Sequence, residues 1–253
     1  MLYLQHKNTI LYQGDSTDAE LFQEEFADLI VTSPPYNLGI EYKSNNDELY
    51  YADYLSFSRK WISNCYQWSK NQARFCLNIP LDKYKGGRNS VGADLTHIAQ
   101  EIGWKYQSTI VWNKSNISRR TAWGSWLSAS APYVIAPVEL IVVFYKNQWK
   151  KTEGTKLSDI TKEEFLEWTN GLWNFNGEIS KKRIGHPAPF PRELPRRCIK
   201  LFSFVGDLVF DPFSGSGTTL LEAECNNRKG VGVELDPDYC QLIEKRCVCS
   251  NLS

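Results

Sequence analysis

The chain has no net charge, no paired CxxC motifs, no long apolar run, and no repeated or low-complexity segment. Each absence removes a class of answer. Its 29 basic and 29 acidic residues cancel, so affinity for nucleic acid has to come from a local basic surface rather than a global field. The seven cysteines (Cys65, Cys76, Cys198, Cys225, Cys240, Cys247, Cys249) lack the spacing of a zinc site, and buried free thiols in a reducing compartment are expected. No run reaches the length of a membrane span, and Met1-Leu2-Tyr3-Leu4-Gln5-His6-Lys7 lacks the layout of a signal peptide. A soluble cytoplasmic protein is the expectation. No Gly-Lys-Thr follows the glycine-rich turn near the end of the chain, which argues against P-loop phosphate chemistry.

What is present suffices for a substantial core. At 253 residues, with 42% hydrophobic and 13% aromatic content, the chain can bury one core and still carry a small inserted lobe. Leu29-Ile30-Val31-Thr32 is a β-branched run stopped by Ser33-Pro34-Pro35, which reads as a buried strand ending in a loop. Leu55, Trp61, Ile62, Cys65 and Trp68 predict a helix over 50–69, and 73–79 reads as the next strand. Leu95, Ile98, Ala99 and Ile102 mark a helix that stops near Gly103. The runs 107–112 and 139–145 read as strand partners with a long excursion between them.

Over 146–185 periodicity gives way to lysines, glycines and isolated tryptophans, the expected place for an inserted recognition segment, with Trp168 and Trp173 in the core of a small lobe. Pro187, Pro189, Pro191 and Pro195 then punctuate the approach to a helix carrying Leu194, Cys198, Ile199, Leu201 and Phe202. A strand at 208–210, a helix at 218–225 and a strand at 231–235 form a nucleotide-binding type of unit. The alternation predicts an α/β, doubly wound, mostly parallel sheet.

Two motifs carry chemistry. In Asp211-Pro212-Phe213-Ser214-Gly215-Ser216-Gly217-Thr218-Thr219, glycines sit where a strand turns into a helix and let the backbone approach a ligand closely. A G-x-G turn alone also suits a purely structural bend. Glu234 closes the next strand roughly twenty residues on, where a carboxylate can accept both hydrogen bonds of a ribose diol or simply end a strand in solvent.

The second motif is Thr32-Ser33-Pro34-Pro35-Tyr36-Asn37. An exocyclic amino nitrogen on an aromatic ring is a poor nucleophile, because its lone pair is delocalised into the ring. Ser33 Oγ and the Pro34 carbonyl can hold the two amino protons and favour a tetrahedral nitrogen. The prolines stiffen the loop, and Tyr36 offers a flat face to a base that has left its stack. No metal is needed for that chemistry.

The motifs and their order resemble the β class of DNA methyltransferases that modify exocyclic amino groups, in which the catalytic half precedes the cofactor half. The resemblance covers most of the chain. It implies a Rossmann-like methyltransferase sheet with an antiparallel strand, S-adenosyl-L-methionine as cofactor and double-stranded DNA as substrate. The expected division is 1–145 for the catalytic half, 146–185 for a target-recognition insertion and 186–253 for the cofactor half.

By this resemblance Asp211 faces the amino group of the cofactor's methionine moiety, Phe213 shapes the pocket with Pro212, and Glu234 holds the ribose. Gly215, Gly217 and Thr218 line the turn. Gly14-Asp15-Ser16 looks like the family's element at the adenine end, or a turn capped by Asp15. His186-Pro187-Ala188-Pro189-Phe190-Pro191 resembles the segment over the methionine end, with Pro189 and Phe190 as a wall.

Ser33-Pro34-Pro35-Tyr36 resembles the form typical of N4-cytosine enzymes, whereas Asp or Asn in place of Ser33 is more usual for N6-adenine enzymes. Carbon-5 methylation fits poorly, since none of the seven cysteines follows a proline. An RNA or protein-amide methyltransferase and a non-catalytic DNA-binding subunit are the other readings, and intact motifs at both sites argue against the last.

For DNA contact, Asn37 adjoins the catalytic loop. Arg119 and Arg120, with Trp123 and Trp126, and the cluster Lys181-Lys182-Arg183 combine charge with aromatic surface, or are solvated faces. The resemblance is also compatible with a cognate restriction endonuclease and with a homodimer.

Overall fold

A strand buried on both faces sends alternate side chains to opposite sides of its sheet. In β3 (Ala27–Thr32) every residue is buried. Ile30 packs in one cluster with Phe75, Leu77, Val142, Phe144 and Phe210, while Leu29 and Val31 pack in another with Cys76, Ile141, Val143 and Val209. The odd and even positions of four strands thus fill two cores, one on each face of one sheet. The computed structural model describes residues 1–37, 49–82, 88–115, 124–134, 137–151, 156–178, 185 and 190–249.

The other strands are β1 (Leu2–His6), β2 (Thr9–Gln13), β4 (Ser69–Pro80), β5 (Lys105–Lys114), β6 (Val138–Tyr145), β7 (Leu172–Phe175), β8 (Leu208–Asp211) and β9 (Lys229–Glu234). Among the described residues they form one sheet in the order β1-β2-β9-β8-β3-β4-β6-β5-β7. Pairing is parallel from β2 through β9, β8 and β3 to β4, and again between β5 and β7. β1 and β6 run against their neighbours. The expected partnership of 107–112 with 139–145 is the β5–β6 ladder, in which Ile110 faces Ile141.

Helices cover both faces. α1 (Tyr51–Trp68) and α2 (Val91–Ile102) bury Tyr54, Trp61, Ile62, Val91 and Leu95 against one core. On the other face lie Trp168 of α3 (Lys162–Trp168), Leu194, Cys198 and Ile199 of α4 (Glu193–Phe202), and Ala223 of α5 (Thr218–Cys225). α6 (Pro237–Cys249) brings Cys240, Ile243 and Cys247 onto Leu11, Leu220 and Leu221.

Several expectations need correction. Trp168 and Trp173 belong to the core of the main sheet, because β7 pairs with β5 and carries Trp173 under it. The β1–β2 hairpin and α6 carry periodicity too weak to mark them in the sequence. Cys225 is exposed, while Cys65, Cys76, Cys198, Cys240 and Cys247 are buried free thiols. No helix among the described residues is long and apolar enough to cross a membrane.

The approach of α5 to β9 depends on glycine. A Cβ on Gly232 would collide with Ser214 Oγ and lie 2.8 Å from Leu220 Cδ1, and one on Gly230 would stand 3.3 Å from the Leu220 backbone. Gly232→Ala is therefore expected to destabilise the fold by about 1–3 kcal/mol, the usual cost of overpacking. Urea unfolding measures it, and an unchanged midpoint would contradict the packing.

Candidate active site

Parallel strands β2, β9, β8, β3 and β4 end on the same edge, so the loops that follow them meet there. Backbone and side-chain hydrogen bonds stitch these loops together. Gly14 N donates to Glu234 O at 3.0 Å, and Ser16 Oγ donates to Pro212 O at 2.5 Å. Asn64 of α1 donates to Ser16 O at 2.9 Å. Asp15 is exposed, and its Oδ1 accepts from both the amide and the hydroxyl of Thr17 at 2.8 Å, so it caps its own turn.

The glycine loop is held from two sides. Gly217 takes a left-handed conformation (φ 75°) as it opens α5, and a Cβ there would sit 2.9 Å from Ile243 Cγ1. Arg246 of α6 donates to Ser216 O and, at 3.4 Å, to Thr218 Oγ1. Glu234 spans the loop from β9: its Oε2 accepts from Gly215 N at 2.7 Å and its Oε1 from Asp236 N at 2.9 Å. Phe213 leans edge-on against Trp61, with ring centroids 5.2 Å apart.

Asp211 ends β8 with no solvent exposure. Its Oδ1 accepts from Thr32 Oγ1 at 2.7 Å and from Phe213 N at 3.1 Å, whereas its Oδ2 is buried without a partner. Burial, only partly offset by the Thr32 and Phe213 hydrogen bonds and the nearby Thr219 hydroxyl, pushes its carboxyl up from 3.8 to about 6. Burial likewise raises Glu234 from 4.5 to about 7, against the Asp236 and Gly215 amides that favour its charge. A buried carboxylate with an unmatched oxygen suits a cationic partner.

Beside Thr32 the Ser-Pro-Pro-Tyr loop leaves the sheet. Ser33 Oγ lies 2.5 Å from the Tyr36 hydroxyl. Three residues unmarked by any motif surround this pair. Asn78 of β4 donates from Nδ2 to Tyr36 at 2.7 Å and to Glu139 Oε2 at 2.8 Å, and Lys114 of β5 is paired with Glu139 Oε1. The signal for Asn78 was a lone polar residue inside the apolar run 75–79, because a polar group in a buried strand needs a reason to be there.

The structure thus brings Ser33, Pro34, Pro35, Tyr36, Ser16, Asp211, Pro212, Phe213, Gly215, Gly217, Thr218 and Glu234 to one edge. Phe190 packs on the opposite-face core that contains Leu194. Asn37 is buried and ties chain segments together: its Nδ2 donates to Leu49 O at 2.9 Å and its Oδ1 accepts from Leu49 N at 2.7 Å. Arg119, Arg120, Lys181, Lys182, Arg183, His186 and Pro189 lie outside the described residues.

A family model described as DNA methylase matches residues 27–245. The type II methyltransferase M.MjaVI of Methanocaldococcus jannaschii is 60% identical over 172 residues, which cover 68% of this chain and 88% of the relative. The Thermus thermophilus protein TTHA0409, solved with S-adenosyl-L-methionine, superposes with a TM-score of 0.73 at 25% identity, covering 94% of this chain and 93% of that one. The cytosine-N4-specific PvuII DNA methyltransferase gives a TM-score of 0.71 at 27% identity, covering 95% of this chain and 86% of its own.

The raised carboxyls make stability depend on pH in a defined direction. Between 3.8 and about 6 the folded protein keeps the Asp211 proton that the unfolded chain has released, so this stabilisation is present below 3.8 and is lost as pH rises through about 6. Glu234 acts in the same sense between 4.5 and about 7. Asp211→Asn is expected to match the unsubstituted protein near pH 4 and to exceed its stability, on the order of 1–3 kcal/mol, above about pH 6. Thermal melts of both proteins across that range test it, and a pH-independent difference would contradict the burial argument.

Proposed function

The chain belongs to the DNA methylase family matched over residues 27–245, and on that premise we propose that it transfers the methyl group of S-adenosyl-L-methionine to the N4 amino group of cytosine in DNA. The observation that carries this reading is the buried hydrogen bond from Thr32 to Asp211, which binds a Ser-Pro-Pro-Tyr loop to a loop suited to the cofactor. The preference for cytosine rests on Ser33 in the first motif position, and the likeness to the cytosine-N4-specific PvuII enzyme supports it.

The residues at the sheet edge fit the cofactor. The unpartnered Asp211 Oδ2 suits its cationic amino group, the glycines of the 215–217 turn put no side chain in the way of a ligand, and Glu234, which braces that turn, stands with Ser16 at the ribose and adenine side. Asp15, Pro212, Phe213, Thr218, Pro189 and Phe190 complete the proposed pocket. When bound, the cofactor supplies an activated methyl group with a good leaving group.

The chain's own residues supply the rest. Ser33 Oγ and the Pro34 carbonyl hold the amino protons of a flipped base, and Pro35 keeps the loop stiff. Tyr36, anchored through its hydroxyl, offers its ring to the base, which offsets part of the cost of unstacking. Asn37 fixes the end of the loop. Residues 1–145 are the proposed catalytic half, 146–185 the recognition segment and 186–253 the cofactor half. Arg119, Arg120, Lys181, Lys182 and Arg183 are proposed to engage phosphates. A cognate endonuclease and action in the cytoplasm belong to the same proposal.

Ser33→Ala is expected to lower methyl transfer at least about 100-fold, as loss of a group that stabilises the transition state does, while cofactor affinity stays within twofold. Asp211→Ala is expected to weaken cofactor binding instead. Mass spectrometry of nucleosides from methylated DNA should reveal N4-methylcytosine; N6-methyladenine would overturn the choice of base, and near-native turnover in Ser33→Ala would overturn the catalytic assignment.

A further inference from the structure

The hydrogen-bond polarity of Ser33 is set from outside its own loop. Glu139, the second residue of β6, lies between Pro80 of β4 and Trp112 of β5. Its side chain is 12% exposed. Oε1 is paired with Lys114 Nζ, which also lies 4.7 Å above the Trp112 ring, and Oε2 accepts from Asn78 Nδ2 at 2.8 Å and from the Tyr36 hydroxyl at 3.3 Å.

An ionised carboxylate can only accept hydrogen bonds. The Tyr36 hydroxyl has two acceptors at 3.3 Å, Glu139 Oε2 and the backbone carbonyl of Asn78, and the charged carboxylate is the stronger of them. Its single phenolic proton, once directed there, is not available to Ser33. The 2.5 Å contact between the two hydroxyls then has Ser33 as donor. Ser33 Oγ is left with lone pairs to offer, the polarity required to hold an exocyclic amino proton. Asn78 strengthens the order. Its Nδ2 lies within reach of Glu139, Tyr36 and, at 3.3 Å, Ser33, while its buried Oδ1 has no partner. With Oδ1 in place of Nδ2, an amide oxygen would face the carboxylate, so the charge of Glu139 holds the amide as it stands.

We propose that Glu139 orients this chain of hydroxyls and receives the proton released by methyl transfer, through Ser33 and Tyr36; the inference rests on the methyltransferase reading above. As the new carbon–nitrogen bond forms and the carbon–sulfur bond breaks, the positive charge passes from sulfur to the amine. The amine N–H proton moves to Ser33 Oγ, the Ser33 proton to the Tyr36 oxygen, and the Tyr36 proton to Glu139 Oε2. A cation and a carboxylate are consumed and two neutral groups result, so charge balances. Glu139 touches no substrate in this scheme and is a positioning residue. Lys114, Asn78 and Tyr36 are the groups that face it, and Lys114 keeps the ion pair within the site.

The first test needs neither cofactor nor DNA. In protein labelled with carbon-13 at the tyrosine ζ position, and with the Tyr36 signal assigned by Tyr36→Phe, Glu139→Gln is expected to move that signal; an unmoved signal would overturn the polarity argument. In single-turnover transfer to DNA, Glu139→Gln is expected to lose about 100-fold in rate, as removal of a general base does, with cofactor and DNA affinity within twofold. Glu139→Ala should regain part of its rate as formate is added, which a residue with only a structural role would not permit. A Glu139→Gln rate within threefold of the unsubstituted chain, or a Glu139→Ala rate indifferent to formate, overturns the proposal. The unsubstituted chain and Ser33→Ala run in the same assay: absence of transfer by the former, or its persistence in the latter, removes the methyltransferase reading and not Glu139 alone.

Discussion

The hydrogen bond from Thr32 Oγ1 to Asp211 Oδ1 joins two strand ends that are 179 residues apart in sequence and adjacent in the sheet. Both residues are fully buried, so the bond has no competition from water. It follows from the parallel register of β3 and β8, in which Leu29 stands beside Val209 and Ile30 beside Phe210. That register rests in turn on the alternation of Ile30 and Phe210 into one core and of Leu29 and Val209 into the other. A slip of one residue would exchange the faces of the whole strand and separate the two loops. The placement of the Ser-Pro-Pro-Tyr loop is thus a consequence of core packing beneath it.

The carboxyl edge concentrates charge that the fold alone does not satisfy. Asp211 and Glu234 are both held above their ordinary range by burial, and Cys65 is raised by burial and by the nearby Asp211. Several buried ionic groups elsewhere among the described residues have partners of opposite charge. Arg228 is fully buried but donates to Asp159, Ser203 and Asn226, and Asp207 receives Lys151, Lys156 and the Phe204 amide. Glu164 closes the capping box of α3 with Thr161 and also receives Arg196 and Lys200 of α4. The contrast separates ionic groups that hold the scaffold from those whose balance awaits a ligand.

Much of the scaffold was legible in the sequence, for physical reasons that differ by element. The β-branched run ending in Thr32 and the apolar positions of α1 and α2 carry strong periodicity, and the turn at 215–217 shows its glycines openly. The β1–β2 hairpin was not legible, since its burial is partial and it packs chiefly through its pairing with β9. β7 is four residues long and owes its place to β5. Within the site, the motifs named Ser33 and Asp211. Glu139 and Lys114 were hidden because a charged residue at a strand end is ordinary; only the antiparallel register of β6 carries Glu139 back to the edge where β4 ends.

The position of the first hairpin has a consequence for how the chain acquires this shape. Among the described residues β2 pairs with β1 and β9 alone, and Thr9 pairs beside Gly230. An isolated two-stranded hairpin is marginal in water. During synthesis β2 therefore waits for β9, an interval on the order of ten seconds or more at ordinary elongation rates. Sheet closure at the Gly14-Asp15-Ser16 edge is then a late event, completed after β3, β4 and β6 have emerged and had time to pair. The newly made chain would expose the apolar side chains of β1 and β2, Leu4 and Leu11 among them, throughout that interval, a surface open to chaperone capture.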